Sequence, residues 1–318
     1  MTKIVVLDRA TYAPSIALSR PAFAHDWESH DQTAPDEVAA RLDGAAYAIT
    51  NKVPIRAETL AAAPDLKMIS VSATGYDVID VEACRARGVT VSNVRGYALN
   101  TVPEHTLALI LALRRQIVGY RRDVIEGAWP RSGQFCFHSH EMRDLNGAVL
   151  GVIGEGGLGR RVARLGEAFG MRPLFAAHKG VAGLGPLYTP FEEVLERSDV
   201  ITLHCPLTPQ TRDTLAAPEF QRLRKRPLII NTARGGLVNE ADLVAALDQG
   251  LVGGIGFDVL TAEPPRDDNP LLAVLARPNV IVTPHVAWAS LEAQTECWRQ
   301  TVANIEAHHA GAPANVVA

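Results

Sequence analysis

The stretch 148–170, AVLGVIGEGGLGRRVARLGEAFG, constrains the fold more than any other part of the chain. Its apolar start, Ala148 to Ile153, has the length and character of a buried strand, and Gly154-x-Gly156-x-x-Gly159 follows at once. Behind the glycines, Val162, Ala163, Leu165, Gly166 and Phe169 recur at helical spacing. Strand, glycine turn and helix in that order are the context a dinucleotide fingerprint requires. Gly154 allows the tight turn, Gly156 lets the backbone approach a pyrophosphate, and Gly159 lets the helix pack closely on the strand. The first helical turn then offers unpaired N–H groups and a positive dipole end to the phosphates.

At 318 residues the chain has room for two domains, and 47% hydrophobic with 21% charged residues is an ordinary globular balance. A formal charge of −4 gives no field that would favour nucleic acid or an anionic membrane. The pairs Arg114-Arg115 and Arg121-Arg122 read as a solvated helix face. Cys84, Cys136, Cys205 and Cys297 lie far apart with no CxxC, which points to neither a metal site nor a disulfide framework. The opening MTKIVVLD enters a strand-like run without a signal-peptide pattern, and no apolar stretch approaches the roughly 20 residues of a membrane span. The expectation is a cytoplasmic protein without membrane or nucleic-acid partners.

Before the fingerprint, strand signals at 4–7, 46–50, 66–72 and 89–92 alternate with helical ones at 36–42, 57–63 and 78–87. Residues 15–35 carry no readable pattern. The stretch 99–120 reads as one helix, apolar nearly all round and therefore buried. The irregular segment 126–146, with Trp129, Phe135 and Phe137, reads as a loop held against something else, such as a second subunit. From Ala148 onward six strands begin near 148, 173, 200, 227, 252 and 280, which makes a full doubly wound sheet. Glu240 to Gly250 reads as a helix closed by its glycine, and 291–309 as a last helix too small for a domain of its own. The fold class is α/β, with two parallel-sheet domains.

Chemistry gathers just past the later strands. Residues 227–231 run into Thr232-Ala233-Arg234-Gly235-Gly236, 253–259 into Glu263, and 280–283 into Pro284-His285. An Arg, a carboxylate and a His on loops after three strands can converge at one crevice. Arg offers a planar fork to a carboxylate or carbonyl, His moves a proton near neutral pH, and a Glu beside it would hold its tautomer. Each alone has a plain alternative: a helix cap for Arg234, an exposed turn for Glu263, a satisfied ring for His285. His308 and His309, near the tail, read as solvated.

These motifs together resemble the D-isomer-specific 2-hydroxyacid dehydrogenase family over essentially the whole chain. The matching segments are SATGYDVID (72–80), NVRGYALNTVPEHTLALILAL (93–113), GVIGEGGLG (151–159), LHCPLT (203–208), NTARGGLVNE (231–240), GFDVLTAEP (256–264) and TPHVAW (283–288). TNKVP (50–54), SATGYDVID and GQFCF (133–137) are most similar to the glycerate dehydrogenase/hydroxypyruvate reductase branch. The resemblance implies a discontinuous, flavodoxin-like substrate domain, 1–98 plus 288–318, with a Rossmann-type cofactor domain, 99–287, inserted into it. It implies that Arg234 binds the substrate carboxylate and keto oxygen, that His285 is the proton donor in reduction, and that Glu263 pairs with it. Backbone N–H groups of Thr74 and Gly75 would hold the carboxylate. Asp258 would meet the nicotinamide carboxamide, Gly157 and Leu158 the pyrophosphate, Thr232 and Ala233 the nicotinamide ribose side. By the same resemblance, Cys205, Pro206, His285 and Ala287 would complete the cofactor contacts.

The resemblance is imperfect at three places, one of them Arg95-Gly96, which replaces a common Pro-Gly and puts one more positive charge near the hinge. Pro103 stands where the family has a small residue, which should alter the start of the long helix, and the usual acid closing the second cofactor-domain strand is Ala177. With no repelling charge at Ala177, and with His178 and Lys179 next to it, NADP is expected at least as readily as NAD. A homodimer built on 100–121 and the aromatic segment is also expected. The rival reading is a nucleotide-sensing corepressor-like binding protein on the same fold, which would bind cofactor and turn over no 2-keto acid.

Overall fold

Two runs of βα alternation build two separate parallel sheets in this computed structural model, which describes residues 1–318. The chain divides into a unit of Met1–Ala98 with Trp288–Ala318 and a unit of Leu99–Ala287. The first unit begins β1 (Thr2–Val6), β2 (His25–Ser29), α1 (Val38–Arg41), β3 (Tyr47–Thr50), α2 (Ala57–Ala62), β4 (Met68–Val71), α3 (Val81–Ala86) and β5 (Thr90–Ser92). Its sheet order is β2-β1-β3-β4-β5, the flavodoxin-like doubly wound arrangement. Every residue of β3 and β4 is buried, as a parallel sheet covered on both faces demands, so these strands read as continuous apolar runs. β2 falls in the unreadable stretch 15–35. It is the edge strand, partly exposed along its length, and its sequence HDWES carries no apolar run.

The second unit contains α4 (Thr101–Arg114), α5 (Ile117–Ile125), α6 (Ala128–Ser132), β6 (Val149–Ile153), α7 (Gly157–Ala168), β7 (Arg172–Ala176), β8 (Tyr188–Thr189), α8 (Phe191–Arg197), β9 (Val200–Leu203), α9 (Ala217–Phe220), β10 (Leu228–Asn231), α10 (Glu240–Asp248), β11 (Gly254–Phe257) and β12 (Val280–Val282). Its parallel sheet has seven strands, ordered β12-β11-β10-β9-β6-β7-β8, one more than the six expected. The extra strand, β8, is two residues long and pairs with the end of β7, too short to leave a periodic signal. The order reverses between β6 and β9, where a sheet of this kind forms its ligand crevice beyond the strand ends.

The single helix expected over 99–120 is two helices, because Gln116 adopts φ +53 between α4 and α5. α4 buries Val102, Pro103, Thr106, Leu109, Ile110 and Leu113, and its leucines and Ile110 join a core with β6, β9 and β10. Gly256 of β11 lets it approach, since a Cβ there would lie 3.1 Å from Leu109 Cβ. Pro103 sits in the first turn, where its nitrogen would have no intrahelical acceptor, so it removes no hydrogen bond and leaves the helix start intact. α5 differs from its expectation: it buries only Gly119 and exposes Ile117, Val118, Val124 and Ile125.

α11 (Leu291–His309) completes the first unit, burying Cys297, Trp298, Val302 and Ile305 and receiving the Ser70 hydroxyl at Thr301 O, 2.9 Å. The tail pairs with β5, Val317 N to Val91 O at 2.8 Å. His308 and His309 are not simply solvated. The His309 ring stacks on Phe23 at 3.7 Å, and His308 Nδ1 is buried without a partner, so burial holds its imidazole below the usual range.

Candidate active site

The loops after β10, β11 and β12 form one bonded corner. After β10, Asn231 shapes the turn: its Oδ1 accepts from Ala233 N at 3.0 Å and its Nδ2 donates to Arg234 O at 2.8 Å. Arg234 is half-buried, and its guanidinium donates to Ala233 O. Gly235 has no room for a side chain, because a Cβ would stand 2.0 Å from Leu260 O. That contact seats the Arg234 turn against the loop after β11.

On that loop, Glu263 Oε1 accepts from Leu260 N at 2.9 Å, and Glu263 Oε2 lies 2.5 Å from His285 Nδ1. The carboxylate accepts a hydrogen bond from Nδ1–H, which leaves Nε2 as the ring nitrogen open to a substrate. His285 has φ +55, uncommon for a side-chain-bearing residue, and its N–H bonds Asp258 O at 2.8 Å and Thr283 O at 3.0 Å. Asp258, only 1% exposed, accepts from Thr283 Oγ1 (2.5 Å), Val286 N (2.9 Å) and Ala287 N (2.8 Å). Its carboxylate thus organises the turn that carries His285, with one acceptor position left on Oδ2.

The corner also uses residues that give no motif of their own. Glu240, at the start of α10, is buried and accepts from Thr261 N, Thr261 Oγ1 and Asn269 Nδ2 at 2.6, 2.9 and 2.7 Å, fixing the loop that holds Glu263. In the sequence it looks like any acid in a helix's first turn. Thr283 and His105 are legible only as parts of longer motifs.

The phosphate turn passes a direct test of fit. A Cβ on Gly154 (φ +104) would lie 2.6 Å from Cys205 N, and one on Gly159 would lie 1.9 Å from Gly154 O, so the chain itself requires both glycines. Gly156 has an ordinary φ of −64, and a Cβ there would meet nothing within 4 Å, so nothing within the chain requires glycine at that position. A group lying against the backbone from outside would. α7 has no side-chain cap, and its first intrahelical bond is Arg160 N to Gly156 O, which leaves the N–H groups of Gly157, Leu158 and Gly159 to an anion.

Neutral groups flank this turn. Burial pushes the His204 imidazole down to about 4 and the Cys205 thiol up to about 11, and Pro206 beside them is exposed. The Thr232 hydroxyl lies 2.9 Å from Thr106 Oγ1, itself bonded to Val102 O, so it faces α4. Ala233 is half-buried on its turn, and Ala287 is buried. At the end of β7, Ala177 N bonds Thr189 O, and no acid is present on that strand end. His178 is exposed, its Nε2 3.9 Å from Glu155 Oε2, a carboxylate from the phosphate turn. Lys179 is drawn elsewhere, to Glu219 Oε1 at 2.9 Å.

In the first unit, Thr74 and Gly75 occupy the turn after β4. The Thr74 hydroxyl donates to Val94 O and Asn93 Nδ2 donates to Thr74 O, both at 2.8 Å, while the N–H groups of Thr74 and Gly75 engage no acceptor of the chain. No cluster of His, Cys, Asp or Glu is arranged to hold a metal ion, and no helix is long and apolar enough to cross a membrane.

A doubly wound sheet, an uncapped phosphate turn and a His–Glu pair beside an arginine define a dinucleotide-dependent oxidoreductase. The family model described as D-isomer specific 2-hydroxyacid dehydrogenase, NAD binding domain, matches residues 107–287. A glycerate dehydrogenase of Methylorubrum extorquens is 48% identical over 316 residues, 99% of this chain and 98% of that protein. The chain belongs to the D-isomer specific 2-hydroxyacid dehydrogenase family. Among solved structures, an NADPH-dependent glyoxylate/hydroxypyruvate reductase of Sinorhizobium meliloti is similar with TM-score 0.81 and 27% identity, covering 100% of this chain and 98% of that one. A D-lactate dehydrogenase of Aquifex aeolicus, solved with NAD and lactic acid, gives 0.79 and 27% over 98% and 96%.

Proposed function

We propose that this chain reduces a small 2-keto acid to the D-2-hydroxy acid, with hydroxypyruvate and glyoxylate as favoured substrates, giving D-glycerate and glycolate. The observation that carries the reading is the 2.5 Å contact between Glu263 and His285 Nδ1, on the loop beside the Arg234 turn. A bound nicotinamide supplies the hydride. Arg234 forks onto the substrate's carboxylate and keto oxygen and stabilises the charge that develops on that oxygen. His285 Nε2 delivers the proton to it, and takes it back in oxidation, while Glu263 stabilises the imidazolium. The free N–H groups of Thr74 and Gly75 suit a carboxylate, which makes the first unit the substrate domain and the second the cofactor domain.

The uncapped start of α7 holds the pyrophosphate, Cys205 and Pro206 line it, and Thr232, Ala233 and Ala287 border the nicotinamide side. The free Oδ2 position of Asp258 suits the carboxamide. NADPH serves at least as readily as NADH, because no acid at Ala177 repels a 2′-phosphate and His178 is exposed beside it. Lys179, held by Glu219, takes no part. The exposed Ile117, Val124, Ile125, Trp129 and Phe135 are covered in a homodimer, at about 25 cal/mol per Å² of apolar surface buried. All four cysteines are free, in keeping with the cytoplasm.

A panel of 2-keto acids run with both reduced cofactors tests the reading. Rapid oxidation of cofactor by hydroxypyruvate or glyoxylate is expected, and tight cofactor binding without turnover of any 2-keto acid would overturn it. A preference for NADH above about tenfold, or 1.4 kcal/mol, would overturn the cofactor assignment alone.

A further inference from the structure

We infer that His105 is a positioning residue for this reaction, holding His285 in place through Thr283 and Asp258. The inference rests on the reading of His285 as proton donor. His105 lies near the start of α4, and its Nε2 is 3.0 Å from Thr283 Oγ1. Thr283 has one hydroxyl proton, and Asp258 Oδ1, 2.5 Å away, takes it. The Thr283 oxygen therefore accepts from His105, which makes Nε2 the protonated ring nitrogen. The bonds run from His105 to Thr283 to Asp258, and the same carboxylate accepts the N–H groups of Val286 and Ala287 on the far side of His285.

One turn earlier on the same helix face, Thr101 Oγ1 donates to Ala287 O at 3.0 Å. α4 thus grips both ends of the turn 283–287, at Thr283 and at Ala287. Between them His285 keeps its φ of +55, a conformation that persists only where the surroundings over-determine it. Thr101 fixes the far end of the turn to the helix. His105 fixes the near end and also sets the direction of the Thr283 hydroxyl on which the Asp258 network depends. Without that donor the hydroxyl is free to rotate, Asp258 loses its third partner, and the ring that must meet the substrate oxygen loses its fixed position.

Three variants and one exchange measurement test this. His105→Leu removes the donor, His105→Gln keeps an N–H near the Nε2 position, and Thr283→Val removes the intermediate hydroxyl. The expected result is a fall of kcat for hydroxypyruvate of about 10- to 100-fold in His105→Leu, the scale on which small misplacements act, with KM and cofactor Kd little changed. His105→Gln recovers most of the loss. The double variant His105→Leu/Thr283→Val is no worse than Thr283→Val, because both remove the same link. In His105→Leu, hydrogen exchange accelerates at the amides of Val286 and Ala287 and stays unchanged in β6 and β9. Wild-type kcat with wild-type exchange at 286–287 would overturn the inference. So would equal losses in the Leu and Gln variants with faster exchange throughout the unit, the mark of a packing residue. Failure of the wild type to reduce any 2-keto acid would instead strike the functional reading, and exchange at 286–287 would still decide the role of His105.

Discussion

Two corners of the same seven-stranded sheet differ in how fully their polar groups are committed. Where β10, β11 and β12 end, Glu263 is shared between Leu260 N and His285, Asp258 serves three donors, and Glu240 serves three more. Where β7 ends, Ala177 carries no charge, His178 stands exposed 3.9 Å from Glu155, and Lys179 has turned to Glu219. The proposed reaction moves a proton at the first corner, a step that tolerates little positional freedom, and that corner is bonded from every side. In the proposed reading the second corner sets the choice between NADH and NADPH, a matter of one or two charges.

The first corner is broken by the smallest change of charge geometry. Arg234→Lys keeps the charge and loses the bidentate fork, and kcat/KM for hydroxypyruvate should fall about 10²–10³-fold, the usual cost of one lost oxyanion donor. Steady-state kinetics would show it, and wild-type rates would mean that Arg234 does not bind the reacting group.

His204, just past β9, lies between the corners and tests the burial beside the phosphate turn. Its Nδ1 is buried without a partner, and burial pushes the imidazole down to about 4. In the unfolded chain the ring takes up a proton near pH 6.5, while the folded chain holds it neutral until about pH 4. Its contribution to stability is therefore complete above pH 6.5 and is lost as the pH falls toward 4, by up to about 3 kcal/mol. Urea unfolding at pH 7 and pH 5 should show a loss that His204→Asn reduces; identical pH dependence in the two proteins would contradict the burial.

The second corner should yield to single substitutions that leave the first untouched. Ala177→Asp should shift cofactor preference toward NADH by more than about tenfold, or 1.4 kcal/mol, with kcat retained. Lys179→Ala, which the sequence alone would expect to weaken NADPH, should change neither cofactor, since Glu219 already holds that ammonium. Ratios of kcat/KM for the two cofactors read both effects.

The same contrast explains what the sequence makes legible. Buried strands such as β3, β6 and β9 announce themselves because covered parallel strands must be apolar along their whole length. Arg234, Glu263 and His285 are legible because each follows such a strand directly. β2, a polar edge strand, and β8, two residues long, have no such signature. The break at Gln116 is hidden because Arg114-Arg115-Gln116 reads as one polar turn of a continuing helix, with apolar residues resuming at Ile117. Those of α5 face outward, so composition does not distinguish core from exposed surface. The supporting residues of the site are harder still. His105, Glu240 and Thr283 act through bonds to loops distant in sequence, and only tertiary structure brings those partners together.

In the proposed reaction His285 is the group that moves the proton. The most direct measurement is kcat for hydroxypyruvate in His285→Ala, taken with the dissociation constant of the reduced cofactor in the same variant. The expected result is a loss in kcat of about 10²–10⁴, the range for a missing general acid, with cofactor binding close to wild type. A variant that binds cofactor normally and keeps near-wild-type kcat would show that the proton comes from elsewhere.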